Sequence, residues 1–230
     1  MPLVRKGIIV SSVMAPVLFF ESISIPVPRK NIYRRLGFVK DVTEVPASQR
    51  EEIERYIGDA SLLIHLKGAG LHMPIAEIKG ARIILPDGAE FESRQLAKFL
   101  ANCNEIVLMG ATAGREIMNA IEEDATGANV TRGIVLDAAA SEMVDAALDW
   151  IMVYFNQSLR RENRRLLKKR YSAGYGDLFL DTQKAMYRLL QLDRIGIEIT
   201  ESCILVPEKS VTAITGIQSH AFEKRLSQKS

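Results

Sequence analysis

The longest predicted element of this 230-residue chain is a helix over residues 137–169. Apolar side chains recur along its first part at helical spacing, and the segment becomes strongly basic after Ser158. The apolar positions are Met143, Ala147, Trp150, Ile151 and Tyr154. The two parts of the helix are therefore expected to face different surroundings.

Shorter helices and strands lie on both sides of this helix and do not alternate strictly, which indicates an α+β fold. The predicted helices lie at 33–36, 48–66, 93–102, 114–123 and 181–193, and the predicted strands before residue 29, at 72–91, 105–109, 195–206 and 210–217. The length suits one domain, which we place at residues 1–217, followed by a polar tail at 218–230.

Local signals define several element ends. Ser48 and Glu51 have the spacing of a capping box, which predicts the start of a helix. The Asp87-Gly88 pair predicts a hairpin turn, and Gly37 is expected to end the first short helix. The segments 195–206 and 210–217 predict two strands that pair with each other.

The charge balance argues against two classes of partner. Thirty basic and 28 acidic residues leave a formal net charge of +2, which gives no overall footprint for nucleic acid or for an anionic membrane. Positive charge gathers at Arg160, Arg161, Arg164, Arg165, Lys168, Lys169 and Arg170. That stretch predicts either a solvated helix face or a docking patch for an acidic partner.

Cysteine usage and hydropathy indicate a reduced, cytoplasmic protein. Cys103 and Cys203 are far apart and form no C-x-x-C pair, so neither a disulfide framework nor a zinc site is predicted. Residues 7–20 are apolar and follow two basic residues, but they lack a small-residue cleavage site, which favours a buried strand pair over a secretory signal. No apolar run is long enough to span a bilayer.

Residues 170–177 form a glycine-rich turn between two predicted helices, and their types suit a small anionic ligand. Gly174 and Gly176 can take positive φ and let a ligand approach the main chain. Arg170 offers a fork of donors to a carboxylate or phosphate, and Tyr175 offers an aromatic face with a hydroxyl. A helix C-cap with basic residues facing the helix dipole is the alternative interpretation.

Three segments resemble, in order and spacing, one known family. They are an R-x-x-x-G-Y element at 170–175, a segment at 194–202 that contains Thr-Glu-Ser, and a segment at 206–214 that contains Pro-x-x-Ser-Val. These segments are similar to motifs of the activation domain of cobalamin-dependent methionine synthase. The resemblance covers residues 130–217.

The resemblance implies a twisted antiparallel sheet with packed helices and the ligand S-adenosylmethionine. It also implies a methyltransferase component that reactivates a corrinoid-dependent methyltransferase of the methionine synthase type. Unlike the best-known family members, the chain has no corrinoid, folate or homocysteine domain, so we expect a standalone reactivation component. The methyl group of S-adenosylmethionine would pass to cob(I)alamin after flavodoxin or another electron donor has reduced the inactive cob(II)alamin. Cobalamin is expected on the partner protein alone.

Five residues match positions that the family uses for S-adenosylmethionine. The resemblance implies that Arg170 pairs with the methionine carboxylate, and that Ala173 and Gly174 offer main-chain groups. It places Tyr175 near the sulfonium and Asp145 where a helix carboxylate offsets the positive charge of the ligand. The methyl transfer is an in-line displacement in which positioning does the work, so neither a catalytic residue nor a metal ligand is predicted.

Asp145 meets a geometric difficulty. If residues 145–170 formed one straight helix, its ends would lie about 37 Å apart at 1.5 Å per residue, too far for one small ligand. Either the helix breaks near Asn156 or Ser158 and the chain doubles back, or Asp145 lies outside the site. Glu142, one helical turn away, is then the substitute.

Two other functions remain open. One is a non-catalytic adaptor that docks on a corrinoid protein through the basic segment without binding S-adenosylmethionine, and the other is a methyltransferase for a small molecule. The polar tail after Ile217 leaves the adenine side of the pocket incomplete or dependent on a partner. Leu63 stands where a corrinoid-ligand motif of the form D-x-H-x-x-G has its aspartate, so His65 is predicted to be an ordinary helix residue.

Overall fold

The computed structural model describes residues 16–38, 46–127 and 129–219. Its strands are β1 (Leu18–Phe20), β2 (Lys67–Pro74), β3 (Glu77–Lys79), β4 (Arg82–Ile84), β5 (Glu90–Glu92), β6 (Glu105–Thr112), β7 (Arg164–Leu166), β8 (Glu198–Ile199), β9 (Leu205–Val206) and β10 (Ser210–Ser219). Its helices are α1 (Arg29–Arg35), α2 (Ala47–Leu63), α3 (Arg94–Leu100), α4 (Arg115–Thr126), α5 (Val130–Arg160) and α6 (Thr182–Leu190), with a 3-10 turn at Leu192–Ile195.

Five strands form one antiparallel sheet in the order β1-β2-β6-β10-β7. The central strand β6 pairs along its whole length with β2 on one side and with β10 on the other. β3, β4 and β5 form a separate three-stranded sheet, and β8 pairs with β9. The predicted α+β fold, a twisted antiparallel sheet with packed helices, is confirmed.

The central strand is buried on both faces because helices cover the sheet from both sides. Val107 and Met109 point into the cluster that contains the apolar residues of α2 and α5. Ile106 and Leu108 point the other way, into the cluster that contains α3, α6 and the small sheet. Successive side chains of a strand point to opposite faces, so a continuous apolar run such as that of β6 requires cover on both.

Two glycines of β2 let α5 lie close to the sheet. A Cβ at Gly70 would stand 2.5 Å from Cε2 of Phe155, and a Cβ at Gly68 would stand 2.8 Å from Cδ1 of Ile151. Both distances are shorter than normal contacts between side-chain atoms. Because glycine has no Cβ, the helix can lie this close to the strand.

The predicted capping box at Ser48 and Glu51 is wrong. α2 begins at Ala47, and Pro46 occupies the N-cap position without a side-chain hydrogen bond to the helix. A proline is tolerated at a helix start because the first N–H groups have no partner within the helix. α2 ends at Leu63, three residues before its predicted end, because the backbone of Ile64 is already extended and the chain runs from there to β2 at Lys67.

The long helix is also displaced from its predicted range. α5 has 31 residues and begins at Val130, where the side chain of Asn129 accepts a hydrogen bond from the Arg132 N–H at 3.1 Å. It ends at Arg160 and not at Lys169, because the following segment leaves the helix to pair with β10.

Other predictions have mixed outcomes. The Asp87-Gly88 hairpin joins β4 to β5, and Gly37 follows α1 with a φ of 88°, as expected.

The segment 195–206 is not one strand paired with 210–217. It folds into β8 and β9, which pair with each other, whereas β10 pairs with β6 and β7. β10 continues to Ser219. The structure does not describe residues 1–15 and 220–230. Most of the predicted strand pair at 7–20 and most of the predicted polar tail therefore lie outside the described residues.

Candidate functional site

The chain reverses direction after α5 and returns along the same helix. Asn163, with a φ of 53°, lies in the turn that follows Arg160. β7 then pairs with the end of β10, and the Leu166 N–H donates to Oδ1 of Asn156 on α5 at 2.8 Å. This path brings Arg170 back to the middle of α5.

Arg170 bridges two carboxylates on successive turns of α5. Its Nη2 donates to Oδ1 of Asp145 at 2.7 Å and to the Asp145 carbonyl at 3.2 Å, and its Nη1 pairs with the carboxylate of Asp149. The Arg170 side chain is 18% exposed, against 60% and 66% for the two aspartates. Burial alone would lower the pKa of Arg170, but the hydrogen bonds and charges of both aspartates outweigh burial and raise that pKa.

The difficulty with Asp145 is resolved by this reversal. Of the two alternatives, the structure shows the one in which the helix ends and the chain doubles back: α5 ends at Arg160, two residues beyond Ser158, and Asp145 contacts Arg170. The proposed substitute, Glu142, is buried and accepts from Nε of Arg35 on α1 at 2.7 Å. Of these two carboxylates, Asp145 is therefore the one beside Arg170.

The glycine-rich loop after Arg170 has the backbone that its sequence predicts. Gly174 and Gly176 have φ values of 81° and 62°, a region that side chains disfavour. The Gly174 N–H donates to the Leu178 carbonyl at 2.8 Å and closes the loop. A Cβ on Gly176 would stand 2.7 Å from Oε1 of Gln95, the mobile end of a long side chain, so the positive φ and not a lack of space is what favours glycine there.

An aromatic row leads from the core to this loop. Phe99 packs against Tyr171 with 5.2 Å between ring centroids, and Tyr171 packs edge-on against Tyr175 at 6.4 Å. Tyr175 is 72% exposed and ends the row at the surface. Ala173 is half-buried and packs on the cluster below the loop. The exposed ring of Tyr175 is thus available to a ligand or partner.

Asp177 fastens the loop to the start of α3. Its carboxylate accepts from the Ser93 hydroxyl, from the Arg94 N–H at 2.8 Å and from the Gln95 N–H at 3.3 Å. Ser93 is itself the N-cap of α3 and accepts from the Leu96 N–H. The hydrogen bond from Ser93, together with those from the backbone N–H groups, lowers the pKa of Asp177.

This lowered pKa predicts where the loop loosens in acid. The folded pKa lies below the ordinary aspartate value of about 3.9, so the contact contributes fully above that pH and is lost as the pH falls through the folded pKa. In an NMR titration, the amide signals of Arg94 and Gln95 should shift together with an inflection below pH 3.9. Asp177→Asn should remove the inflection, and Asp181→Asn, on the same loop, should keep it. An inflection above that pH in the wild type would contradict the contact.

Two cavities border the ion pairs of Arg170, one lined by Asp145 and the other by Asp149. The first, which we call the Asp145 cavity, has a volume of about 240 Å³ and is lined by Arg35, Ser141, Val144, Asp145, Glu208, Lys209, Ser210 and Val211. The second, which we call the Asp149 groove, has a volume of about 540 Å³ and is lined by Asp149, Met152, Val153, Asn156, Arg160, Arg165, Leu166, Leu167 and Lys168. Arg170 thus binds one carboxylate from each.

The two cations of the Asp145 cavity form ion pairs with residues of α5. Lys209, a residue of the Pro-x-x-Ser-Val segment, donates from Nζ to Asp137 at 2.6 Å and to Ser141 at 3.0 Å. Arg35 pairs with Glu142, as noted above. Because cations and carboxylates are both present, the cavity is suited to a zwitterionic group.

Asp149 is the site residue that sequence reasoning missed. It follows Asp145 by four residues, which places both on one helix face, and this spacing was the available signal. His65 lies after the end of α2 and not within it, and its Nε2 is 3.1 Å from Glu116. Within the described ranges, no group of three or more His, Cys, Asp or Glu side chains is placed to hold a metal ion.

Comparison with known proteins gives a structural likeness without a sequence match. No family model matches the chain, and no curated protein matches it significantly. Among solved structures, the chain is similar to the crystal structure of the MetH reactivation domain bound to AdoHcy, with a TM-score of 0.61 and 16% sequence identity. The match covers 87% of this chain and 78% of the other. The two proteins therefore share a fold.

None of the helices within residues 16–38, 46–127 and 129–219 is long and apolar enough to cross a membrane.

Proposed function

We propose that this protein binds S-adenosylmethionine and reactivates a corrinoid-dependent methyltransferase of the methionine synthase type. The contact of Arg170 with Asp145 and Asp149 carries this proposal, since it assembles two carboxylates at an arginine that precedes the glycine loop in the chain. Further support comes from the fold shared with the MetH reactivation domain, whose structure contains AdoHcy, the demethylated form of the proposed ligand.

Ligand binding would proceed by exchange of ion pairs. The guanidinium of Arg170 can hold a ligand carboxylate through two parallel hydrogen bonds, in place of one or both aspartates. Asp145 and Asp149, released from Arg170, would then lie next to the ammonium and sulfonium groups of the ligand. The exchange is feasible because both aspartates are mostly exposed and remain hydrated when unpaired.

Positioning is the main contribution of this protein to the reaction. Bound S-adenosylmethionine would supply the methyl group, with the electron pair of the S–C bond remaining on sulfur, and the cob(I)alamin of the partner would supply the electron pair for the new bond. No proton moves, so an acid or base is not required. Ala173 and the carbonyl of Gly174, whose N–H is already bonded to Leu178, would offer main-chain groups to the ligand, and Tyr175 would bound the site at its exposed side. A flavodoxin-like or other donor would supply the reducing electron.

Calorimetric titration tests ligand binding directly. S-adenosylmethionine should bind saturably at one site, and S-adenosylhomocysteine should bind as well, because both carry the methionine carboxylate and ammonium that Arg170 and the aspartates would hold. Adenosine, which lacks both groups, should bind at least tenfold more weakly, since charged hydrogen bonds contribute about 1.5–3 kcal/mol each. Equal affinity for adenosine, or no binding to a folded sample, would reject the assigned site.

An adaptor without the nucleoside ligand is the second candidate. One argument for it is that the guanidinium of Arg170 already pairs with two carboxylates. The other is that basic residues at the end of α5 and after β7 are exposed and could contact an acidic partner. An adaptor would retain a corrinoid methyltransferase in a pull-down without S-adenosylmethionine, and retention would weaken steeply with salt. Retention that requires S-adenosylmethionine would favour the reactivation component.

A further inference from the structure

The Asp149 groove carries a charge pattern that S-adenosylmethionine does not match. Three of its lining residues are the cations Arg160, Arg165 and Lys168, and its one carboxylate, Asp149, is paired with Arg170. S-adenosylmethionine has a sulfonium, an ammonium and a carboxylate, but no phosphate. Once the carboxylate lies at Arg170, the ligand has no anionic group left for the basic end of the groove.

The rest of the groove is suited to an apolar body. Met152, Leu166 and Leu167 line it, and Val153, which is 55% exposed, adds a further apolar side chain. The hydrogen bond between Asn156 and the Leu166 N–H joins its two walls, so the spacing between α5 and β7 is fixed by a direct contact. A volume of about 540 Å³ falls in the usual range for small-molecule sites.

We propose that the Asp149 groove is a second ligand site, which binds a phosphate ester whose body has one apolar face, such as a nucleoside monophosphate. The phosphate lies at Arg160 and Lys168, and the face of the base lies over Met152 and Leu167. Basic side chains supply charge-assisted hydrogen bonds to phosphate oxygens, and the apolar wall removes the body of the ligand from water.

The competing explanation is a solvated basic surface that has no specific ligand. Such a surface attracts any anion through its net positive charge. The chain contains an internal comparison that separates the two explanations. Arg161 and Lys169 are exposed neighbours of Arg160 and Lys168 but are not among the groove residues. Diffuse attraction uses all four cations alike, whereas a ligand site depends on the two that line the groove.

The test is a titration of the full chain with adenosine monophosphate, adenosine and inorganic phosphate at one fixed ionic strength. Adenosine monophosphate should bind at least tenfold more tightly than either of its parts, because it alone has both the phosphate charge and the base. Arg160→Gln and Lys168→Gln should each weaken it roughly tenfold, the effect of one charged hydrogen bond. Arg161→Gln and Lys169→Gln should change it less than about twofold.

Three results would overturn the second site. They are no binding of adenosine monophosphate, phosphate binding as tightly as adenosine monophosphate, and equal losses in the groove variants and their neighbours, which is the outcome expected for diffuse attraction of any acidic partner. A parallel titration with S-adenosylmethionine separates this inference from the proposed function. Arg160→Gln and Lys168→Gln should leave that affinity unchanged, so either site can fail without the other.

Discussion

Replacement of Arg170 by glutamine should abolish measurable binding of S-adenosylmethionine. The variant loses the charged, two-pronged contact with the ligand carboxylate, and two charged hydrogen bonds of about 1.5–3 kcal/mol each correspond to a loss of roughly 100-fold or more in affinity. The affinity of Arg170→Lys for S-adenosylmethionine should lie between those of the wild type and Arg170→Gln, because lysine keeps the charge but not the planar guanidinium. The measurement is calorimetric titration of each variant.

Two further variants separate a lost contact from a lost fold. Arg161→Gln removes an exposed arginine from the same basic stretch and should bind like the wild type. Tyr175→Ala removes a ring that is 72% exposed, so it should leave the melting temperature unchanged and weaken binding by about 3–10-fold. If Arg170→Gln is folded and binds S-adenosylmethionine normally, the ligand does not use this arginine and the proposed site is wrong.

Replacement of Gly70 by alanine should lower the free energy of unfolding. The Cβ of Gly70→Ala would stand 2.5 Å from Cε2 and 2.9 Å from Cζ of Phe155, where the ring is held between α5 and the sheet. Insertion of a methyl group into such a contact costs about 1–3 kcal/mol of unfolding free energy. Urea denaturation should show a lower midpoint at an unchanged slope.

Gly58 provides the matched control for this substitution. It is exposed on α2, and a Cβ there would meet nothing within 4 Å. Gly58→Ala should therefore stabilise the protein by about 0.5–1 kcal/mol, the difference between alanine and glycine within a helix. The same chemical change is thus expected to have opposite signs at the two positions. A neutral Gly70→Ala would mean that Phe155 does not pack on β2 as described.

The candidate site was only partly predictable from the sequence. Gly174 and Gly176 stand out because positive φ is a property of single residues, and Arg170 and Tyr175 stand out through their motif. The sequence left open whether Asp145 reaches Arg170, since the answer depends on where the chain turns between them. Asp149 was missed because a carboxylate on a helix surface is ordinary until a partner from elsewhere in the chain is placed beside it.

Errors in element bounds have a common cause. Residues 161–169 are rich in arginine, lysine and leucine, which favour helix, yet β7 forms there because β10 offers unpaired backbone groups at the sheet edge. In the same way, residues 195–206 split into β8 and β9 because the neighbours of β10 are β6 and β7. Backbone groups that a distant strand can satisfy outweigh differences in propensity of a few tenths of a kcal/mol.

By itself, the sequence determined the features that single residues or short spacings decide. These are the hairpin at Asp87-Gly88, the end of α1 at Gly37 and the turned backbone of the glycine loop. Only the tertiary structure decided the length of α5, the order of the strands and the meeting of Arg170 with Asp145 and Asp149. Turn chemistry acts within a few residues, whereas strand pairing and ion pairs join segments whose separation along the chain says nothing of their distance in space.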